Sequence, residues 1–240
     1  MKYVIINGSP RKKNTWAVVK QVEKSLDGEF EEIQLMKENI PICNGCFKCF
    51  DGEENCLHFD KVNPIVEKLK DADGLIITSP VYAMNVSSLL KNFLDHTAYL
   101  YHRPALFTLK GLVVVTTAGA GHKDVAKYLD ETLRHWGVNK VYKLSFACGN
   151  DDLDTKAIDK VAKRFAQDVE SGKLHSPKIM DIIFYNVWRR FALNEDHIER
   201  DRQYWRETGL INHDFAPEVK LGIFKTLIAK ISLTLFKKLF

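Results

Sequence analysis

Four of the five cysteines in this 240-residue chain lie within one short run, at Cys43, Cys46, Cys49 and Cys56. The gaps of two, two and six residues allow the four thiols to approach a single point. The chain opens with MKYVIINGSP, which reads as a strand rather than a secretory signal, so we expect a reducing, cytoplasmic compartment. There, clustered thiols predict a metal ion or an iron–sulfur cluster rather than disulfides.

A second candidate site is the segment GSPRKKNT, between the first predicted strand and the first predicted helix. Backbone amides at a helix N-terminus converge on one spot, and the helix dipole there favours an anion. The side chains that can add donors or charge are Ser9, Arg11, Asn14 and Thr15. Neither GxGxxG nor GxxxxGK[ST] follows this strand, so we predict a mononucleotide phosphate. The alternative is an ordinary turn in which Ser9 and Asn14 cap the helix.

Two further loops follow later predicted strands. The third strand runs into Pro80, Val81, Tyr82, Ala83, Met84 and Asn85, and the fourth into Thr117, Ala118, Gly119, Ala120 and Gly121. The first loop offers flat or soft apolar surface, and the second lets bare backbone approach a ligand. Ligands of open parallel sheets bind beyond the carboxyl ends of the strands, so we expect the three loops to share one pocket for a planar heterocycle.

Apolar runs of strand length alternate with helical patterns through residues 1–172. Strands are predicted at 3–7, 30–35, 74–79, 112–117 and 141–147, with helices near 14–26, 61–71, 86–100, 122–136 and 155–171. Several of the strands are continuously apolar, as expected when both faces of a sheet are covered. The pattern predicts an α/β domain with a flavodoxin-like, doubly wound, five-stranded parallel sheet.

Residues 173–240 are predicted to form a helical C-terminal extension rather than a second globular domain. Its last segment, 222–240, carries lysines and no acidic residue, and its apolar stripe comprises Phe224, Leu227, Ile228, Ile231 and Leu235. An apolar stripe usually faces protein, so we expect this helix to pack on its own domain or on a partner subunit. The alternative is peripheral contact with an anionic membrane through 222–240. The longest apolar runs are too short to predict a membrane-spanning helix.

The remaining polar residues suggest little further chemistry. The net charge of +4 is mild and no recognition-helix or aromatic–basic pattern is present, so we do not expect a nucleic-acid partner. The histidines form no metal-binding motif, and we place only His122, beside the glycine loop, near the bound heterocycle. His58 follows Cys56 closely enough to serve as a ligand, but we expect an ordinary loop histidine. Cys148 reads as a small buried hydrophobe.

Taken together, GSPRKKNT, the cysteine run, ADGLIITSPVYAMNVSSLLKNFLD and TTAGAG resemble the flavodoxin-like NAD(P)H-dependent FMN reductases, and most of all their iron–sulfur flavoprotein branch. The resemblance covers roughly residues 1–170 in order and spacing. It implies FMN, with its phosphate at the first loop and its ring against 80–86 and 117–121. It also implies a homodimer or homotetramer, with the flavin near a subunit interface.

For function, the resemblance implies an enzyme that passes electrons from NAD(P)H through FMN to a small acceptor such as a quinone, a nitroaromatic or free flavin. An electron carrier that exchanges with a ferredoxin-like partner is the alternative. A metal-binding or regulatory protein that has lost its flavin is a third reading, which the intact phosphate loop disfavours. No catalytic residue is assigned, because the flavin does the chemistry.

For the cysteines, the resemblance implies that Cys43, Cys46, Cys49 and Cys56 hold one [4Fe–4S] cluster. Three alternatives stay open. The loop can carry no metal and pack over the substrate, its thiols can be redox-active with one another, or it can bind zinc. Zinc is the least natural of these, since structural zinc sites usually pair two short arms across a longer loop.

Overall fold

The computed structural model describes residues 1–148 and 153–236. Its sheet has five strands, β1 (Lys2–Asn7), β2 (Glu29–Gln34), β3 (Gly74–Pro80), β4 (Lys110–Thr117) and β5 (Lys140–Ala147). All neighbouring strands are parallel, in the order β2-β1-β3-β4-β5. The order reverses between β1 and β3, where chain connections leave on opposite sides of the sheet.

Nine α-helices occur in the described residues. They are α1 (Asn14–Glu23), α2 (Lys48–Asp51), α3 (Phe59–Lys70), α4 (Ser88–His96), α5 (His122–His135), α6 (Thr155–Ser171), α7 (Ile179–Ala192), α8 (Glu199–Glu207) and α9 (Ile223–Phe236). Short 3-10 turns cover Glu53–Asn55, Ala98–Tyr101 and Leu210–Asn212. The apolar side chains of β1, β3 and β4 are buried on both faces of the sheet, which explains their unbroken hydrophobic sequences.

The predicted α/β fold and all five strands are confirmed, with ends that differ by one or two residues. The predicted helix over 86–100 differs, because α4 stops at His96 and a 3-10 turn follows. The hydroxyl of Thr97 donates to the carbonyls of Phe93 and Leu94 at 3.0 and 3.2 Å. Such side-chain bonds compete with the next helical backbone bonds and favour an end at this position.

The extension packs on the sheet domain through its own small apolar core. Trp205 of α8 and Tyr185 of α7 are buried together with Phe107, which precedes β4. The indole of Trp205 donates to the carbonyl of His102 at 2.8 Å. Helix α9 packs along α7. The last residues of the predicted tail helix, 237–240, lie outside the described part of the chain. Among the described helices, none has the length and apolarity needed to cross a membrane.

Candidate functional site

The loops after β1, β3 and β4 meet at the carboxyl edge of the sheet, where the strand order reverses. They line one pocket, whose walls are Ser9, Arg11, Lys13, Asn14, Thr15, Pro80, Val81, Tyr82, Thr116, Thr117 and Ala118. The structure therefore brings together residues from all three loops singled out in the sequence. Lys13 and Thr116 also line this pocket, and sequence reasoning missed both.

The first loop is held tightly against its neighbours at Gly8. A Cβ atom at this position would lie 2.7 Å from the carbonyl oxygen of Thr78 and 2.8 Å from Cβ of Leu90. The amide of Gly8 donates to that same Thr78 oxygen at 3.0 Å, and the hydroxyl of Ser87 donates to the Gly8 carbonyl at 2.6 Å. Only glycine fits this close approach, and the contacts fix where the loop turns toward α1.

The hydroxyls of the first loop make bonds within the protein. Ser9 Oγ donates to the carbonyl of Arg11 at 2.7 Å. Thr15 Oγ1 and Thr116 Oγ1 share a hydrogen bond of 2.6 Å, which joins the start of α1 to the end of β4. These hydroxyls bond to the pocket wall, which places Ser9 and Thr15 at the predicted phosphate site.

The start of α1 keeps its amides available for an anion. The N-cap residue of α1 is Lys13, and its side chain makes no capping hydrogen bond among the described residues. The alternative in which Ser9 and Asn14 cap the helix therefore fails. The side chains of Arg11, Lys13 and Asn14 are exposed at the pocket mouth. Two cations at an uncapped helix N-terminus suit a phosphate.

The loop after β3 forms a tight two-residue turn. Tyr82 and Asn85 exchange both backbone hydrogen bonds at 2.9 Å, while Ala83 and Met84 have φ values of 46° and 64°. Two successive non-glycine residues in the left-handed region are strained. The turn leaves Tyr82 and Met84 40% and 60% exposed beside the pocket, and such strain is often retained at functional sites.

The loop after β4 lies against that turn. The hydroxyl of Thr117 donates to the carbonyl of Ala120 and accepts from the amide of Gly119, both at 3.1 Å. Gly121 has φ of 88°, and a Cβ there would lie 3.2 Å from the Met84 sulfur. A Cβ at Gly119 would meet nothing within 4 Å, so open space remains beside the backbone for a planar ligand.

The other predicted residues stand beside the pocket rather than in its wall. Ala83, Met84, Asn85, Gly119 and Gly121 belong to the two loops but flank the lining residues. His122 begins α5 directly after Gly121. Cys148 is only partly buried, contrary to expectation, because it follows the end of β5 at the open edge of the sheet.

A double variant in which both Arg11 and Lys13 are replaced by glutamine tests the phosphate assignment. We expect FMN to bind about 10- to 100-fold more weakly, since charged hydrogen bonds contribute roughly 1.5–3 kcal/mol each and partial exposure reduces this. Riboflavin, which lacks the phosphate, should bind the variant and the parent equally. Lys24→Gln, at the other end of α1, is the control. Quenching of flavin fluorescence measures both ligands, and equal losses for both would contradict the assignment.

The four clustered cysteines line a second pocket, which they share with His58 and His96. Cys46 is exposed and the other three are partly buried. Both histidines lie beside the thiols in space, with their rings 5.5 Å apart at nearly right angles. His58 was read from the sequence as an ordinary loop residue, and His96 was not considered, because nothing in its local sequence points to the distant cysteines.

The spacing of the thiols bears on which group they can hold. In the described residues, no three cysteine sulfurs lie within 4.8 Å of one another. Four thiolates around one tetrahedral zinc ion stand about 3.8 Å apart, given a Zn–S bond of about 2.3 Å. A cubane cluster separates its ligand sulfurs more widely, because each sulfur bonds to a different iron. The described sulfurs therefore do not form a preassembled zinc site.

Helix α4 holds one side of the cysteine loop. Asn92 accepts from the amide of Cys43 at 2.9 Å and donates to the carbonyls of Ile40 and Pro41. One turn later, His96 Nε2 lies 2.9 Å from the Pro41 carbonyl, which can only accept. Nδ1 of His96 is thus left to face Cys56 Sγ at 3.7 Å as an acceptor.

A buried arginine holds the other side. Arg103 is 1% exposed, and its guanidinium donates to the carbonyls of Cys49 and Phe50 at 2.6 and 3.2 Å. The same group pairs with Asp201 of α8 at 2.9 Å and with Glu53 at 3.3 Å. Arg103 therefore joins the backbone of the cysteine loop to the C-terminal extension, and sequence reasoning missed this residue.

Asp201 is the centre of this network. Its second carboxylate oxygen lies 2.8 Å from Nδ1 of His102 and 3.1 Å from Nε2 of His197. Burial alone would raise the pKa of Asp201, but hydrogen bonds from both histidines and the charge of Arg103 outweigh it and hold the pKa below its usual value. Two histidines and a carboxylate are potential metal ligands, yet the Arg103 cation on the same carboxylate makes this a hydrogen-bonded network.

Replacing Asp201 with asparagine should destabilise the protein by about 3 kcal/mol at neutral pH, because a buried Arg103 loses its main anionic partner. Since the folded pKa of Asp201 lies below its unfolded value, the contribution is complete above about pH 4 and is lost as pH falls further. Urea unfolding at pH 7 and near pH 3 measures it. Glu207→Gln, in an exposed ion pair with Arg200, is the control and should cost under about 0.5 kcal/mol. Equal effects of the two substitutions would contradict the role of the network.

The thiols also differ in chemical state. Burial, with a further contribution from nearby Cys56, raises the pKa of Cys49 to about 11, although Arg103 opposes the shift. Cys49 is therefore a neutral thiol at physiological pH in the metal-free chain. Any metal that binds must displace its proton, so binding becomes stronger as pH rises.

Alkylation of the metal-free protein by iodoacetamide at pH 8 tests this difference. We expect exposed Cys46 to react at least about tenfold faster than Cys49, since the thiolate is the reactive species and Cys49 is both partly buried and protonated. Mass spectrometry of peptides after timed quenching gives both rates within one sample. The fully unfolded chain serves as control and should show nearly equal rates. Faster reaction at Cys49 in the folded chain would contradict the geometry.

A parallel sheet of order 2-1-3-4-5 with a cationic pocket at the β1/β3 reversal defines a flavodoxin-like mononucleotide-binding protein. The model of the family described as NADPH-dependent FMN reductase matches residues 1–152, and the chain belongs to that family. The resemblance noted in the sequence is thereby confirmed.

Particular relatives agree with this placement. The chain is 31% identical over 224 residues to an iron-sulfur flavoprotein of Archaeoglobus fulgidus, covering 88% of this chain and all of that protein. It is 32% identical over 122 residues to an NADPH azoreductase of a Bacillus species, covering 50% of this chain and 61% of that one. The solved NAD(P)H:quinone oxidoreductase from Methanothermobacter marburgensis shares the fold, with a TM-score of 0.53, 16% identity and coverage of 74% and 99%.

Proposed function

We propose that this protein is an FMN-dependent oxidoreductase that passes electrons from NAD(P)H to a small acceptor such as a quinone, a nitroaromatic or free flavin. The observation that carries the proposal is the convergence of three loops on one cationic pocket at the sheet reversal. Membership of the FMN reductase family supports it, and so does the azoreductase relative.

In this proposal, each wall of the pocket has a separate task. The uncapped first turn of α1, with Arg11 and Lys13, binds the phosphate of FMN. The Thr15–Thr116 bond keeps the phosphate wall in position against β4. The turn at Tyr82–Asn85 would lie against the ring and help to exclude water, and Ala118 and Gly119 would offer backbone groups to it. FMN, once bound, supplies the hydride and electron chemistry.

For the second pocket, we propose that Cys43, Cys46, Cys49 and Cys56 hold a [4Fe–4S] cluster. The four thiols line one pocket, and a relative matched over 88% of this chain is an iron-sulfur flavoprotein. Arg103 would add a fixed positive charge beside the thiolates, and Asn92 would hold the approach to Cys43. Zinc and metal-free thiols are the competing readings of the same residues.

The second candidate function is an electron carrier that exchanges with a ferredoxin-like partner and has little direct NAD(P)H activity. The cysteine pocket favours it, because one-electron transfer is what an iron–sulfur cluster adds to a flavin.

For either function, we propose that the protein is cytoplasmic and forms a homodimer or homotetramer. We also propose that the chain divides into a flavin domain at 1–172 and a helical extension at 173–240.

Absorption spectra of anaerobically purified protein separate the two functions. We expect flavin maxima at about 375 and about 450 nm, with added absorbance near about 410 nm from the cluster. Adding NADPH or NADH should bleach the flavin if the protein is the proposed reductase. No bleaching by either nucleotide, together with reduction by ferredoxin, would favour the carrier. A protein that binds no flavin would contradict both.

Iron and acid-labile sulfide contents test the cluster. After anaerobic reconstitution we expect about four irons per chain, and Cys56→Ser should lose most of them. Cys148→Ser is the matched control. Cys148 follows β5 and does not line the cysteine pocket, so its replacement should leave the iron content unchanged. Zinc in place of iron, or iron loss in the Cys148 variant alone, would contradict the assignment.

A further inference from the structure

Helix α9 packs on α7 through its small residues. Ala229 is fully buried, Ser232 is 7% exposed, and Lys225 reaches Ser176 and Pro177 with hydrogen bonds of 2.8 and 2.6 Å. The opposite side of the helix carries its large apolar residues. This side, here called the α9 face, consists of Ile223, Phe224, Leu227, Ile231 and Leu235, which are 93, 68, 54, 56 and 54% exposed.

This orientation corrects one part of an expectation from the sequence. The stripe Phe224, Leu227, Ile228, Ile231 and Leu235 was expected to pack on its own domain or on a partner subunit. Within the chain only Ile228 among them is partly buried, so the stripe does not pack on its own domain. Close approach of α9 to α7 needs small side chains at the contact, and Ala229 and Ser232 meet that need. The bulky residues are consequently turned outward.

Two large apolar residues of the neighbouring helix are exposed as well. Ile179 and Met180, at the start of α7, are 43 and 68% exposed. Five large exposed apolar side chains on one face of a helix are uncommon on the surface of a protein that acts alone. Such a patch indicates a surface that something else covers.

The charge of this segment indicates what covers the patch. From residue 219 to the end, the sequence carries five lysines and no aspartate or glutamate: Lys220, Lys225, Lys230, Lys237 and Lys238. Lys230 is exposed on α9 itself. A helix that lies in the interface of an anionic bilayer has this composition: large apolar side chains on one face and only cations among its charged residues.

We propose that the α9 face binds the surface of a membrane that contains anionic lipids, with the helix in the plane of the interface. The apolar side chains enter the boundary between headgroups and acyl chains, and the lysines pair with lipid phosphates. Each lysine near the surface adds attraction, which falls off within a Debye length.

A second copy of the chain fits this face less well. A two-fold dimer would place the α9 face against itself, because such an interface uses the same patch on both subunits. Such an interface would bring the lysines of the two segments near one another, and no acidic residue in the segment can neutralise them. Anionic lipid headgroups supply the missing negative charge.

Membrane binding at this face leaves the flavin pocket accessible. Helix α5 begins at the pocket and ends near α7, where His135 stacks on Phe184 with ring centres 3.7 Å apart. The 14 residues of α5 span about 20 Å, so the point where α5 meets α7 lies about that far from the pocket. A membrane-bound protein can therefore still exchange substrates at the carboxyl edge of the sheet.

The test is co-sedimentation of the full-length protein with phosphatidylcholine vesicles, with and without roughly 30% phosphatidylglycerol. We expect binding to the anionic vesicles and little to the neutral ones. Replacing Leu227 and Ile231 together with glutamine should weaken binding about tenfold or more, since two partly inserted side chains are lost. Met36→Gln, which removes an equally exposed apolar residue after β2, is the control and should bind like the parent.

The contribution of charge is tested separately. Lys220→Gln with Lys230→Gln should weaken binding to anionic vesicles about tenfold and reduce its sensitivity to salt. Lys156→Gln with Lys160→Gln, on α6, is the charge-matched control and should change nothing. Far-ultraviolet circular dichroism verifies that every variant is folded.

Three outcomes would overturn the proposal. The first is equal sedimentation with neutral and anionic vesicles, or no sedimentation of the parent with either. The second is unchanged binding by the variant of Leu227 and Ile231. The third is a lower oligomeric mass of that variant without lipid, measured by light scattering, which would assign the α9 face to a second copy.

Discussion

Strand β1 pairs in parallel with β2 on one side and with β3 on the other, and the positions of the functional loops depend on that pairing. Parallel strands end at the same edge of a sheet, so the loops after β1, β3 and β4 must meet there. The close contact of Gly8 with Thr78 and Leu90 then turns the chain directly into α1. As a result, a single pocket is lined by the first amides of α1, by the cations of the first loop and by the apolar turn after β3.

The second site depends on the buried pair of Arg103 and Asp201. Arg103 binds the backbone carbonyls of Cys49 and Phe50, while Asp201 belongs to the C-terminal extension. A charge as fully buried as Arg103 is stable only when it is paired, so the cysteine loop and the extension are energetically coupled. The extension is therefore part of the support for the cysteine loop, and its α9 helix also carries the most exposed apolar surface among the described helices.

Much of the fold was predictable because local sequence determines it. Continuous apolar runs in β1, β3 and β4 identify strands that are buried on both faces, and helical periodicity identifies the segments between them. The three loops of the pocket were predictable for a related reason, because each directly follows a strand end. By contrast, the left-handed conformations of Ala83 and Met84 were not, since neither residue type favours them and the surrounding turn imposes them.

The sequence by itself determined the order of strands and helices, the three loops at strand ends and the clustering of four cysteines, since all of these follow from residues near one another in the chain. Only the tertiary structure decided that His96, Arg103 and Asp201 support the cysteine loop. These residues lie about 40 to 150 positions away from it, and no local pattern encodes such a contact. The direction of the α9 face was likewise decided by packing, because Ala229 and Ser232 permit a closer approach to α7 than the larger apolar residues do.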